Sequence, residues 1–282
     1  MKILFIGDVF GAPGRELVRK GLRVLPDQLG IDLVVANVEN AAGGYGVTRE
    51  LGDALLGYGL DVMTSGNHVW DKKEALPYLD AEPRLLRPAN FPAGAPGHGS
   101  FVARTSDAQP VAVINLMGRV FMTAIDDPFA AALREVEAVK DRCRVIVVDF
   151  HAEATSEKIA MGWHLDGKVA AVIGTHTHVQ TADERILPGG TAYITDVGMT
   201  GPHDSIIGTD KEATLRRFRT GLPARLDPAA GDPRLHGVVV TVDAGTGKAV
   251  GVERLSLPAD AIDRMSRGGP VPVMDCGYNE GP

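Results

Sequence analysis

Lys2–Asp8 reads KILFIGD, and this stretch decides the fold class. Four apolar residues in succession are followed by a glycine and a carboxylate. A strand that is apolar at every position is buried on both faces, which is typical of α/β proteins. The same kind of run recurs at Asp32–Val38 (DLVVANV), Arg144–Phe150 (RVIVVDF) and Val169–Gly174. Helical patterns separate these runs, so the sequence predicts an α/β fold.

The length of 282 residues allows one large domain or two modest ones. Of these residues, 44% are hydrophobic and 23% charged, a balance typical of globular proteins. We find neither an internal repeat nor a linker, so we expect one domain over residues 1–282. Residues 77–99 are rich in Pro and Gly and predict an irregular segment. Residues 202–235 are polar and contain four prolines, which predicts an excursion of loop and helix, and residues 266–282 suggest a tail.

Charge and hydropathy exclude several classes of partner. The net charge of −7 argues against binding of long nucleic acid through a basic surface. No apolar run approaches the roughly 20 residues that a membrane span needs. The apolar run after Met1 is too short for a signal peptide. Cys143 and Cys276 form neither a disulfide framework nor a zinc-binding pattern, so we expect a cytoplasmic protein.

The residues that follow the predicted strands are of types that bind metals. In chain order these residues are Asp8, then Glu39 and Asn40, then Asn67 and His68, then His151, and finally His176 and His178. Ligands of an open α/β sheet bind beyond the carboxyl ends of its strands, so we expect these side chains at one edge. Imidazoles mixed with carboxylate and amide oxygens suit Fe, Mn or Zn rather than Ca or Mg.

The number of candidate ligands favours two metal ions. Seven such side chains, without His68, are too many for one tetrahedral ion and suit two ions that share a bridging carboxylate. Two divalent ions, the carboxylates of Asp8 and Glu39, and one hydroxide leave a net charge of about +1. That charge matches a phosphodiester monoanion, and no cluster of Arg or Lys in the motifs would bind a dianionic phosphate.

Each residue taken alone has an alternative interpretation. A single Asp or His after a strand is more often a turn cap than a ligand, and Asn67 suits a left-handed turn after Gly66. Asp71 either orients the imidazole of His68 or, as the pattern favours, is an acid at a helix N-terminus. His203 lies in a loop where it either contacts substrate or is simply exposed. The order of the seven residues favours the metal site despite these alternatives.

Four short motifs resemble the calcineurin-like metallophosphoesterases, and they occur in the order usual for that superfamily. They are Gly7-Asp8, Gly66-Asn67-His68, Phe150-His151 and the GTHTH stretch at 174–178. This resemblance implies a single-domain, metallophosphoesterase-type β-sandwich flanked by helices.

Two positions depart from the common pattern and identify a subfamily. Phe10 stands where a histidine is usual, and Glu39-Asn40 replaces Gly-Asp. With these departures the chain is similar to the YmdB-like bacterial phosphodiesterases over nearly its whole length. The stretches VENAAGG (38–44), DFHAEATSEK (149–158) and DVGMTGP (196–202) support this closer match.

The resemblance implies a role for each candidate residue. One ion would be bound by Asp8, Glu39, Asn40 and His178, and the other by Glu39, Asn67, His151 and His176. Glu39 bridges the ions, and Asn40 takes the place of the histidine that is absent at Phe10. His68 is adjacent to a ligand without being needed as one, so it is left as the general acid. The implied metal is iron, with manganese and zinc as alternatives.

The implied activity is hydrolysis of cyclic nucleotides, notably 2′,3′-cyclic nucleoside monophosphates. Two ions would activate a bridging water for attack on phosphorus, and His68 would protonate the departing sugar oxygen. Two alternatives stay open, a phosphomonoesterase on the same metal site and a non-catalytic regulator that responds to nucleotides. The residues also leave open whether the chain forms a homo-oligomer.

Overall fold

The computed structural model describes residues 1–271, in which thirteen strands form two sheets. In chain order the strands are β1 (Lys2–Ile6), β2 (Asp8–Val9), β3 (Leu33–Asn37), β4 (Val62–Thr64), β5 (Ser100–Arg104), β6 (Pro110–Met117), β7 (Val145–His151), β8 (Ala171–Thr175), β9 (Arg185–Ile186), β10 (Ala192–Ile194), β11 (Met199–Asp204), β12 (Gly231–Asp243) and β13 (Lys248–Pro258). The first sheet has the order β2-β11-β12-β1-β3-β4, with β13 paired to β12. The second has the order β5-β6-β7-β8-β10-β9.

Eight α-helices connect or flank the strands in the described residues. They are α1 (Gly11–Gly21), α2 (Leu25–Leu29), α3 (Arg49–Gly57), α4 (Ala75–Ala81), α5 (Pro128–Val139), α6 (Thr155–Leu165), α7 (Lys211–Thr220) and α8 (Ala259–Met265), and a short 3-10 helix spans Asn67–Trp70. The longest, α5, has 12 residues, and no helix of residues 1–271 has the length and apolarity to cross a bilayer.

Alternate side chains of β1 enter two different cores, which explains its unbroken apolar run. Ile3 and Phe5 pack between the two sheets, against residues of β6 and β7. Leu4 and Ile6 point to the opposite face, where they pack with residues of α1, α3 and α8. A third core lies between the second sheet and α5 and α6. The layers are therefore helix, sheet, sheet and helix, which confirms the predicted β-sandwich flanked by helices.

Local sequence signals set the starts of two helices. Oγ1 of Thr48 accepts a hydrogen bond from the backbone N–H of Leu51 at 3.3 Å and caps α3. Asp127 caps α5 by accepting from the N–H of Phe129 at 2.9 Å, and a proline follows at the first helical position. Both caps satisfy donors that the helix itself leaves unpaired.

Two segments differ from the sequence-based expectation. The stretch predicted as irregular from residue 77 begins inside α4, whose N-terminus has no capping side chain. Buried Tyr78 and Leu79 of this helix pack into the first core. The excursion predicted at 202–235 contains the expected helix, α7, but its ends belong to β11 and β12. Pro202 and Pro233 are direct partners in the pair of β11 with β12. Pro202 lies beyond the part of β11 that pairs with β2, so within residues 1–271 it has no strand on its other side, and proline is tolerated at such an edge.

Residues 272–282, which include Cys276 and most of the predicted tail, lie outside the described residues. Cys143 is a free, buried thiol at the edge of the third core, as expected for a small core residue.

Candidate active site

The carboxyl ends of five strands bring the predicted residues to one edge of the sandwich. Asp8 lies in β2, directly after β1, and Glu39 follows β3. His151 is the last residue of β7, and the loop with His176 follows β8. Asn67 begins the 3-10 helix after β4. Parallel pairing of β1 with β3, of β3 with β4, and of β7 with β8 aligns these ends.

Four of the predicted ligands meet around one nitrogen. Nε2 of His151 lies 3.0 Å from Oε1 of Glu39, 3.0 Å from Oδ1 of Asn67 and 3.0 Å from Nδ1 of His176. Ligand atoms of Glu39, His151 and His176 all lie within 4.8 Å of one another. A single imidazole nitrogen can hold one proton, so it can make one full hydrogen bond among these three contacts. Four converging lone pairs therefore suit a cation.

Two further predicted ligands have buried oxygens that lack a hydrogen-bond partner. Oδ1 of Asp8 and Oδ1 of Asn40 are both in this state, although both side chains are buried. Oδ1 of Asp8 is 4.0 Å from Nε2 of His178 and 4.0 Å from Nδ1 of His151. An unpaired buried oxygen is costly unless something neutralises it. These residues therefore fit a second bound cation next to the first cluster.

Burial and neighbouring charges shift the pKa values of the carboxylates strongly. Burial raises the pKa of Asp8 well above its usual range, although the adjacent His151 opposes this. Burial alone would raise the pKa of Glu39, but the charge and hydrogen bond of His151, together with His68, outweigh it and lower the value to about 2. Burial alone would lower the pKa of His151, but Glu39 together with Asp8 and Asp149 raises it to about 9. The site thus gathers carboxyl groups in a buried place, where a bound cation would favour their charged form.

Asp149 supports His151 from within the sheet, and the sequence-based prediction missed it. Its Oδ1 accepts from Oγ1 of Thr175 at 2.7 Å, and that hydroxyl lies 2.9 Å from Nδ1 of His151. Asn37 donates to the other carboxylate oxygen at 3.2 Å, and Thr64 also contacts it. Burial raises the pKa of Asp149 to about 6. The available signal was a carboxylate inside the apolar run RVIVVDF.

The loop that contains His176 and His178 has an unusual backbone held by a buried ion pair. The φ angles of His176 and His178 are 102° and 65°, a region that residues other than glycine seldom adopt. Asp196 accepts hydrogen bonds from the N–H and the hydroxyl of Thr177, at 3.0 and 2.7 Å. Nζ of Lys158 donates to the same carboxylate at 2.6 Å. Lys158 and Asp196 therefore stabilise the strained loop.

Hydrogen bonds on the far side of two imidazoles select the nitrogen that is free for a metal. Nδ1 of His178 lies 2.9 Å from the carbonyl oxygen of Ile207, so it donates there and leaves Nε2 unprotonated. Nε2 of His176 lies 3.0 Å from Oε2 of Glu153, which leaves Nδ1 for the cluster. The sequence-based prediction named neither Ile207 nor Glu153, because both contacts join segments that are distant or irregular.

The imidazole of His68 lies beside the cluster without taking part in its contacts. Its Nδ1 is 2.8 Å from Oδ2 of Asp71, and its ring packs edge-on against Tyr45 with centroids 5.0 Å apart. Its backbone N–H donates to Oε2 of Glu39 at 3.0 Å. Asp71 caps the C-terminal end of the 3-10 helix, so the favoured interpretation as a helix N-terminal acid is wrong. It orients His68 instead.

Two other interpretations also change. Asn67 is absent from the residues with positive φ, so it is not a left-handed turn residue. His203 is not among the residues that line the cavity at this site, because its ring packs on His236 with centroids 4.4 Å apart. Burial lowers the pKa of both imidazoles.

A cavity of about 470 Å³ opens over the cluster. Its polar end is lined by Glu39, Asn40, His68, His176 and His178. Phe10, in the position of the usual histidine, forms part of an apolar wall and packs edge-on against His178 at 5.6 Å. The site can therefore hold cations at its base and a small substrate above them.

Comparison with known proteins agrees with the motifs. A sequence profile of YmdB-like proteins matches residues 4–255. A Bacillus subtilis (strain 168) protein named 2′,3′-cyclic-nucleotide 2′-phosphodiesterase is 50% identical over 260 residues, which cover 92% of this chain and 98% of that protein. Two crystal structures superpose with TM-scores of 0.85. One is a hypothetical protein from Thermus thermophilus, 42% identical over 92% of this chain and 99% of the other. The second is a novel phosphatase from Mycoplasma pneumoniae, 35% identical over 92% and 93%.

Proposed function

This chain belongs to the family of YmdB-like proteins, and from that premise we propose that it is a metal-dependent phosphodiesterase that hydrolyses 2′,3′-cyclic nucleotides. The observation that supports this best is the convergence of Glu39, Asn67 and His176 on Nε2 of His151. It lies at the base of a cavity that also contains His68. The relative from Bacillus subtilis supplies the substrate class.

We propose two metal ions per chain. Glu39, Asn67, His151 and His176 would hold one ion, and Asp8, Glu39, Asn40 and His178 would hold the other. The unpaired oxygens of Asp8 and Asn40 support the second set. Iron is the proposed metal, with manganese and zinc as alternatives, because the ligands mix imidazole nitrogen with carboxylate and amide oxygen.

The chain's own residues then position the reaction. When bound, such ions lower the pKa of water and neutralise charge on the phosphoryl oxygens. Glu39 belongs to both proposed ligand sets and would fix the separation of the ions. Asp149, through Thr175, holds the imidazole of His151 in one orientation. Lys158 and Asp196 hold the loop that presents His176 and His178.

His68 supplies the proton for the leaving group. Its Nδ1 is engaged by Asp71, which leaves Nε2 as the atom that can donate a proton. The proton goes to the sugar oxygen released when the ring opens. For cleavage of the kind named for the relative, that atom is the 2′ oxygen, and the product is a 3′-nucleotide.

We propose that this reaction takes place in the cytoplasm. The buried free thiol of Cys143 agrees with a reducing compartment. A phosphomonoesterase on the same metals is the second candidate function, and the phosphatase description of the Mycoplasma structure favours it.

Steady-state kinetics on metal-loaded protein separate these candidates. We expect turnover of 2′,3′-cyclic AMP to exceed that of 3′-AMP and p-nitrophenyl phosphate, with 3′-AMP as the product by chromatography. Chelation should abolish activity, and added metal should restore it. Faster hydrolysis of the monoesters would overturn the assignment. Binding of cyclic nucleotide without turnover would instead indicate a regulator.

A further inference from the structure

The cavity over the metal cluster has a second end whose chemistry the hydrolytic step does not use. This apolar end is lined by Phe10, Ile206, Ile207, Phe218 and Leu226. Phe10 and Ile207 join this end to the candidate ligand His178, through a ring contact and a hydrogen bond. An apolar wall beside a polar catalytic cluster is typical of a site that also binds the non-reacting part of a substrate.

α7 presents an aromatic ring at this end instead of burying it. Phe218 is 78% exposed yet lines the cavity, and Ile207 is also largely exposed there. The neighbouring Arg217 lines the same cavity, and its guanidinium makes no hydrogen bond or ion pair within residues 1–271. The occupant that these groups fit has a flat apolar body and a negative charge.

Hydrogen bonds fix α7 relative to the metal ligands. The carbonyl oxygen of Ile207 accepts from His178, and a two-residue bridge joins Ile206 to Thr209. Oγ1 of Thr209 lies 2.8 Å from Oγ1 of Thr214, which is buried in the first turn of α7. The apolar end of the cavity is therefore connected to the candidate metal ligands by hydrogen bonds and does not belong to a free surface loop.

We propose that this apolar end binds the nucleoside of the cyclic nucleotide, with the base packed on the face of Phe218 beside Ile207. The proposal rests on the proposed function and names how that site recognises its substrate.

Two glycines leave space for the ring of Phe10 in the apolar wall of the cavity. A Cβ at Gly208 (φ 102°) would meet the ring of Phe10 at 2.8 Å, and one at Gly44 (φ 95°) would meet it at 3.0 Å.

The threonine hydroxyls around the apolar end are engaged within the protein, which favours recognition of the base face over its edge. Oγ1 of Thr209 lies 2.8 Å from the carbonyl oxygen of Ile206, Oγ1 of Thr214 lies 2.7 Å from that of Asp210, and the two hydroxyls contact each other. Oγ1 of Thr177 donates to Asp196. Hydroxyls that are engaged in this way do not discriminate between bases, and every base has a face that can stack. We expect the four 2′,3′-cyclic nucleotides to differ by less than about tenfold in kcat/KM.

Ethylene phosphate is the matched substrate for the test, because it has the same five-membered cyclic diester and no nucleoside. We would measure kcat/KM for it and for 2′,3′-cyclic AMP with metal-loaded wild type, Phe218→Ala, Phe218→Trp and Leu215→Ala. Leu215 is the control, an exposed apolar residue of α7 that does not line the cavity. Binding of adenosine to metal-free protein, measured by saturation-transfer NMR, gives a readout independent of catalysis.

Phe218→Ala should lower the ratio of kcat/KM for cyclic AMP over ethylene phosphate by roughly 5- to 150-fold, the range for loss of one stacked base. The effect should be mainly on KM, and the adenosine signal should weaken. Phe218→Trp should keep the ratio, and Leu215→Ala should not change it.

Equal losses on both substrates, or no loss, would overturn the nucleoside site. A change in oligomeric state with Phe218→Ala and unchanged kinetics would also overturn it, since Phe218 would then belong to an interface. Wild type that hydrolyses neither substrate would instead overturn the proposed function itself.

Discussion

Glu39 and His151 form a buried contact in which Oε1 of the carboxylate lies 3.0 Å from Nε2 of the imidazole. Neither side chain is more than 1% exposed. Without a metal ion this contact is an ion pair, because each partner shifts the pKa of the other toward the charged form. A metal ion at the same place needs the neutral imidazole, so it must displace the proton. Metal binding and protonation therefore compete at His151.

The first prediction concerns the stability of metal-free protein as the pH changes. His151 has a pKa of about 9 in the folded state against about 6.5 unfolded, so its contribution is complete below pH 6.5 and is lost as the pH rises through 9. We expect the free energy of unfolding of metal-free protein to fall over that range, as measured by urea titration. Metal-loaded protein should show a smaller fall. A flat profile for metal-free protein would contradict the ion pair.

The second prediction concerns Glu39 as the residue shared by both ligand sets. Glu39→Asp keeps the charge but shortens the side chain, so we expect partial metal occupancy and a loss in turnover of roughly 10²-fold. Glu39→Gln removes one of the two carboxylates next to the ions and should retain less metal. Metal content by elemental analysis and turnover by steady-state kinetics are compared for both variants and wild type. Normal metal content and turnover in Glu39→Gln would show that Glu39 does not bridge.

The third prediction separates proton donation from metal binding. His68→Ala should keep the metal content and lose roughly 10²- to 10⁴-fold in turnover of 2′,3′-cyclic AMP. The loss should be smaller for bis(p-nitrophenyl) phosphate, whose leaving group hardly needs a proton. Kinetics on both substrates test this. An equal loss on both would assign His68 a structural or substrate-binding role.

The fourth prediction concerns the buried ion pair behind the histidine loop. Lys158→Met leaves the carboxylate of Asp196 buried without its cation, which should lower the free energy of unfolding by about 3–5 kcal/mol. Lys168→Met is the control, since Lys168 is exposed and donates to the carbonyl of His164. Urea titration compares the two variants. Equal stability would mean that the ion pair does not support the loop.

Local patterns in the sequence were enough to predict buried strands of an α/β fold and the polar groups at the strand ends, whereas the sandwich was implied by the family resemblance. The apolar run at Lys2–Ile6 predicted a doubly buried strand, and the polar residue after each strand predicted the ligand types. Asp149 was missed because a carboxylate inside an apolar strand gives no sign of its partners. Lys158 and Asp196 are 38 residues apart, so their pairing depends on the packing of α6 against the loop after β10.

The residues of the proposed nucleoside site were harder to predict, because their positions also depend on contacts between distant segments. Phe218 lies on a polar helix, where a single aromatic residue has no periodic pattern to mark it. Its place in the cavity depends on the bonds from His178 to Ile207 and from Thr209 to Thr214. His203 was considered for substrate contact from its position in a loop, but its ring turns toward His236, which is distant in sequence.

Metal content is the measurement that tests the central claim most directly. Protein purified without added metal and without chelator should contain two transition-metal ions per folded chain by elemental analysis. Anomalous diffraction from its crystals should place one ion among Glu39, Asn67, His151 and His176, and the other among Asp8, Glu39, Asn40 and His178. Folded, unstripped protein with one ion or none, or with its ions bound elsewhere, would contradict the account.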